Sequence, residues 1–143
     1  MFKRKAIFAG SFDPIHEGHL KVIDKAAKLF EKVYVVIANN DFKVGQSDIQ
    51  KRLNKVLKEM KHKNVEAIFL EEDKYLGTLA KELGVNYLVR SARNNTDFSY
   101  ELDMSKLNKE INNELETVLI IPDYEDIEYS SSKFRDFEID KSK

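Results

Sequence analysis

Short β-rich runs alternate with segments of helical period along the whole chain, and few architectures accommodate that alternation. The runs fall at residues 6–9, 33–38, 65–70, 87–89 and 118–121, each too short for a helix and rich in Val, Ile, Leu or aromatic side chains. Between them Leu20, Ile23, Ala27 and Phe30 recur on one helical face. So do Ile49, Leu53, Val56, Leu57 and Met60, with Ser47 or Asp48 in place to cap. Leu76, Leu79, Ala80 and Leu83 repeat the period and Gly84 follows as a stop, then Tyr100, Met104, Leu107 and Ile111 form a fourth stripe. Residues 130–137 are expected to add a last short helix. Parallel strands need helix-sized crossovers of right-handed sense, so the expectation is an α/β fold: a single Rossmann-like, doubly wound domain over residues 1–143 with a five-stranded parallel sheet. The 143-residue length suits one domain.

Doubly wound sheets bind ligands beyond the carboxyl ends of their strands. The loops leaving the five runs begin at Gly10, Asn39, Glu71, Arg90 and Pro122, and four of them open polar clusters: GSFDPIHEGH, NNDFK, RSARNNTDFSYE and PDYEDIEYSSSKFR. The chemistry therefore gathers on one rim. With 24 basic and 25 acidic residues, a formal charge of -1 gives no surplus to attract nucleic acid, so an anion site has to be local. The absence of cysteine removes disulfides, thiolate zinc sites and cysteine nucleophiles, and fits a reducing cytoplasm. The apolar run after the basic start stops at Gly10, too short for a signal peptide or a membrane span.

The stretch GSFDPIHEGH at 10–19 admits three readings. A zinc site is poorly served, because His16 and His19 are three apart and only His62 remains. A plain turn with solvated histidines leaves Ser11, Asp13, Pro14 and His19 crowded at a strand-to-helix junction without a reason. An anion site accounts for them: Gly10 lets backbone approach a ligand, Gly18 opens the helix, and the helix amino end with His19 in its first turn favours negative charge. Neither GxxxxGK[ST] nor GxGxxG is present, so this is not an ordinary P-loop or a dinucleotide fingerprint.

These residues resemble the [ST]FDPxHxGH signature of the small nucleotidyltransferases, and YSSSKFR at 129–135 resembles their second signature. Residues 89–122, VRSARNNTDFSYELDMSKLNKEINNELETVLIIP, are similar to the corresponding region of bacterial phosphopantetheine adenylyltransferases. Ser91 and Ala92 stand where that family has glycine and leucine. The resemblance covers nearly the whole chain and implies transfer of adenylate from ATP to 4'-phosphopantetheine. It also implies magnesium arriving with ATP, and a homohexamer without membrane or nucleic-acid partners. Neighbouring branches act on nicotinate mononucleotide or glycerol phosphate, and a non-catalytic nucleotide-binding regulator is a further alternative.

By motif position, Ser11 and the Phe12 amide would contact phosphate and His19 would donate to the α-phosphoryl oxygens. Lys43 would hold the nucleophilic phosphate together with Arg90, and Arg93 would reach ATP. Ser91, Ala92 and Glu101 would contact the nucleotide; Asp126, Ile127, Glu128 and Tyr129 would border adenine; Ser130, Ser131 and Ser132 would face the β- and γ-phosphates. Leu76 would line the pantetheine arm. No residue is assigned as a metal ligand. His16, outside the expected helix, is given the smaller part of the two histidines.

Overall fold

The computed structural model describes residues 3–39 and 45–123. Five strands alternate with four helices: β1 (Lys5–Gly10), α1 (Glu17–Leu29), β2 (Lys32–Ile37), α2 (Ile49–Glu59), β3 (Val65–Phe69), α3 (Leu76–Leu83), β4 (Tyr87–Ser91), α4 (Asn95–Ile111) and β5 (Glu116–Ile120). Each expected run is a strand and each of the four expected stripes lies on a helix. The further helix expected over 130–137 lies outside the described residues. All strand pairs are parallel, in the order β3-β2-β1-β4-β5. The order reverses between β1 and β4, the point at which such sheets open to a ligand.

Side chains alternate across the sheet as the pleat requires. Ala6 and Phe8 of β1, with Val33, Val35 and Ile37 of β2, face α1 and α2 and pack with Val22, Ile23, Ala26 and Val56. Ile7, Ala9 and Val36 face the other way, against Leu79 and Ala80 of α3 and the buried Val85. Two apolar layers thus enclose β1 and β2 on both sides, which is why these strands read as continuous hydrophobic runs.

Helix orientation departs from the sequence reading in places. On α1 the buried line is Val22, Ile23 and Ala26, while Leu20 and Ala27 are half-buried, a small rotation about the axis. On α2 the inward positions are Arg52 and Val56, i and i+4, and Leu57 is exposed. On α4 the stripe Tyr100, Leu107 and Ile111 is exposed, and the buried positions are Glu101 and Asn108. The cause is local pairing: the Glu101 carboxylate is drawn inward by an arginine of β4, which turns the apolar stripe away from the sheet. At the far end of α4, buried Asn112 donates to the Gly77 carbonyl of α3 at 3.1 Å and accepts from Glu114 N–H at 3.1 Å. The crossing is close enough that a Cβ on Gly77 would stand 2.9 Å from Ile111 Cγ2.

Candidate active site

The site begins where the β1–β4 ladder ends. Pairing stops at Phe8 with Val89, and beyond it the Ala9 carbonyl accepts from Arg90 Nη1 at 2.6 Å. Between the diverging strand ends lies a cleft of about 830 Å³, lined among others by Ser11, His19, Asn39, Arg90 and Arg93.

Its floor is the turn from β1 into α1. Phe12 takes a left-handed backbone (φ 47°) and turns its ring back into the core, edge-on to Phe8 at 5.6 Å and close over Gly10, where a Cβ would meet the ring at 3.3 Å. Glycine at position 10 is therefore a packing requirement. The Asp13–Pro14 peptide is cis, and Asp13 Oδ2 accepts from Ser47 N–H at 2.9 Å.

The two histidines have linked roles. His16 is the N-cap of α1, and its Nδ1 accepts from Gly18 N–H at 3.1 Å; in return His19 Nδ1 accepts from His16 N–H at 3.1 Å. This is a reciprocal capping box in which imidazoles replace the usual hydroxyl and carboxyl. The rings stack with centroids 3.8 Å apart, and Phe12 meets His19 edge-on at 4.8 Å. A Cβ at Gly18 would sit 3.0 Å from His16 Cε1, so the residue between the histidines has to be small. Gly18 is thus inside the first turn, not the residue that opens the helix. Because Nδ1 of His19 is an acceptor, its proton is on Nε2, and the neutral ring is a fixed hydrogen-bond donor.

Across the cleft Arg90 Nε donates to both oxygens of Glu101, at 2.6 and 3.1 Å, and Nη1 holds Ala9. Glu101 is only 4% exposed, so its carboxylate serves Arg90 and orients the guanidinium plane. Arg93 is more exposed, 3.3 Å from Asp97, whose carboxylate also accepts from the Arg93 amide; Asn94 caps α4 by accepting from Asp97 N–H. Beyond β5, Lys25 of α1 donates to the Ile121 carbonyl at 2.8 Å and pairs with Asp123 at 2.6 Å. The hydrogen bond from Lys25 holds the Asp123 carboxyl below its ordinary range.

Of the residues expected at the site, Ser11, Phe12, His19, Arg90, Ser91, Arg93 and Glu101 line one cleft. Leu76 does not line it: this first residue of α3 packs against the core layer beside Leu79. Ala92, half-buried just after β4, is not among the lining residues either. Lys43 and the segment carrying Asp126, Ile127, Glu128, Tyr129, Ser130, Ser131 and Ser132 lie outside the described residues. The sequence reading missed Arg52, buried on the inner face of α2, whose signal was an arginine four residues before the core valine at 56.

The strand-end cleft thus brings two arginines, a capped helix start and an imidazole donor to one place. Residues 7–137 match the family model described as cytidylyltransferase-like. The phosphopantetheine adenylyltransferase of Mycoplasma mycoides is 36% identical over 96% of this chain and 99% of its own length. That of Lactobacillus gasseri is 42% identical over 92% of the chain and 80% of its own. The chain belongs to the phosphopantetheine adenylyltransferase family. Solved structures agree on the fold at low identity. The lipopolysaccharide core biosynthesis protein of Thermoplasma volcanium has TM-score 0.61 and 18% identity, covering 90% of this chain and 100% of its own. Plasmodium falciparum nicotinic acid mononucleotide adenylyltransferase has TM-score 0.63 and 20% identity, covering 94% and 70%.

Proposed function

We propose that the protein transfers the adenylyl group of ATP to 4'-phosphopantetheine, releasing pyrophosphate and forming dephospho-coenzyme A. The observation that carries this reading is the convergence of His19, Arg90 and Arg93 on one cleft at the sheet's switch point, in a chain of this family. The acceptor phosphate is already an anion near neutral pH. One of its oxygens attacks the α-phosphorus of ATP, the bond to the β-phosphate bridging oxygen breaks, and pyrophosphate leaves with that electron pair. No general base is needed.

The task is to hold two repelling anions in line and stabilise charge gathering on the α-phosphoryl and leaving oxygens. His19 Nε2–H donates to the α-phosphoryl oxygens; Arg90, held by Glu101 and Ala9, presents the rest of its guanidinium to the acceptor phosphate; Arg93 reaches ATP. Ser11 and the Phe12 amide meet phosphate from the floor. By motif position, Lys43 is assigned to the acceptor phosphate beside Arg90, and Ser130, Ser131 and Ser132 to the outer phosphates of ATP. Magnesium enters as part of the MgATP substrate. In that complex the ion is held chiefly by phosphate oxygens and water. ATP supply assigns the reaction to the cytoplasm.

With pyrophosphate release followed in both directions, ATP and 4'-phosphopantetheine should turn over far faster than any pairing with nicotinate mononucleotide or glycerol phosphate, or any use of CTP. A preference for nicotinate mononucleotide would assign the protein to the neighbouring branch, and no turnover with any pair would make it a binding protein.

The assembly we propose is a homohexamer. The exposed apolar residues Phe98, Leu102 and Leu107 on α4, with Ile121 after β5, are the surface that association would cover. Sedimentation at micromolar concentration should give one species of six chains, and a monomer there would refute the assembly.

A further inference from the structure

Arg52 is 2% exposed, yet no carboxylate lies within ion-pair distance of it among the described residues. Its guanidinium is satisfied by neutral acceptors from separate parts of the chain. Nε donates to the Ser47 carbonyl at 3.0 Å, Nη1 to the carbonyls of Ser11 at 2.9 Å and Ala38 at 3.3 Å, and Nη2 to Asn39 Oδ1. Ser11, Ala38 and Asn39 all line the cleft, whereas Arg52 lies behind it. A single planar group therefore fastens the β1–α1 turn to the exit of β2 and to the approach to α2. The bond from Ser47 N–H to Asp13 links the same turn and approach a second time.

A buried guanidinium whose partners among the described residues are all neutral is an unusual choice if the task is structural, since burying a charge costs several kcal/mol and neutral donors could tie the same carbonyls. The arrangement makes sense if the compensating negative charge arrives with substrate. We infer that Arg52 is a positioning residue for adenylyl transfer. It fixes the Ser11 turn against the Ala38–Asn39 strip, the two sides between which the phosphates must be aligned, and supplies a permanent positive charge beneath them. The inference rests on the adenylyl-transfer reading, which turnover by the unmodified protein tests separately.

Two substitutions divide the roles. Lysine keeps the charge but cannot span four acceptors in a plane; glutamine keeps neither. With melting curves showing both variants folded at the assay temperature, Arg52→Lys should bind inorganic pyrophosphate within about threefold of the parent and lose about tenfold or more in kcat. Arg52→Gln should lose about 10²-fold in kcat and about tenfold in pyrophosphate affinity. Unchanged kinetics in both would reduce Arg52 to a packing residue, and equal pyrophosphate affinity in the two would remove the electrostatic half of the inference. Should neither variant fold, the unmodified protein still decides. The Arg52 Nε–H resonance should exchange slowly with water and shift as pyrophosphate is titrated, and a resonance that stays still to saturation would overturn the inference.

Discussion

His19→Ala is expected to lower kcat by about 10²–10³, the loss typical of one transition-state donor, with little change in the dissociation constant of ATP. An interaction that strengthens only as charge shifts to the α-phosphoryl oxygens acts on turnover more than on binding. The geometry explains why this side chain is suited to the part. Its ring is held between Phe12 and His16, and Nδ1 is committed to the His16 amide. Only Nε2–H is directed by this arrangement to act as donor. His19→Gln, which can carry an N–H near the Nε2 position, should recover part of the lost turnover; a general base would not be rescued in this way. His16→Ala leaves the backbone N–H to His19 intact but removes the cap on Gly18 and the stacked ring. Its effect on kcat should be smaller, accompanied by about 1 kcal/mol of lost stability. Near-normal turnover in His19→Ala would remove the imidazole from the mechanism.

Arg90→Met should abolish measurable turnover and also destabilise the fold by about 3 kcal/mol, because it strands the Glu101 carboxylate in the interior. Glu101 is almost fully enclosed and, among the described residues, Arg90 is its only ion-pair partner. The partial exposure of Arg90 keeps the expected cost at the lower end for a broken buried pair. Joining Arg90→Met with Glu101→Met should restore much of the stability while leaving the protein inactive, since apolar residues of similar size tolerate such a site better than one unpaired charge. Urea unfolding and turnover on the two proteins separate structure from function. If the single variant were as stable as the parent, Glu101 could not be what fixes Arg90.

The strands and helices were readable because the core obeys simple periods. Residues buried on both sides of β1 and β2 are Val, Ile, Ala and Phe, and Gly84 closes α3 in the left-handed conformation that its position suggested. The β1 turn was readable as a turn, but not the reason for its glycines: each stands where a Cβ would strike a neighbouring ring, Phe12 over Gly10 and His16 beside Gly18. What stayed hidden were polar groups that displace apolar ones from inward positions. Arg52 looks like a surface residue of α2 until its acceptors, from Ser11 and Ala38, are brought together by the sheet. The outward turn of α4 was hidden in the same way, because hydrophobic period cannot anticipate that a glutamate will be drawn in by an arginine eleven residues earlier. The capping part of His16 was hidden because its bond from Gly18 N–H and its stacking on the His19 ring are contacts that spacing alone does not specify.

The inverted polarity of α4 bears on the order in which the molecule becomes rigid. A helix normally docks because its apolar face leaves water, but here Glu101 and Asn108 go inside while Phe98, Leu102 and Leu107 stay out. An isolated chain therefore secures α4 by the Arg90 pair and the Asn112 bonds to Gly77 and Glu114, with little hydrophobic drive of its own. An element docked in this way is expected at the low end of local stability. If the proposed assembly covers α4, amide exchange along this helix should slow as protein concentration rises, while β1 and β2 remain unaffected. Arg90 takes its orientation from Glu101 of this helix as well as from the Ala9 carbonyl, so one wall of the cleft is only as firm as the docking of α4.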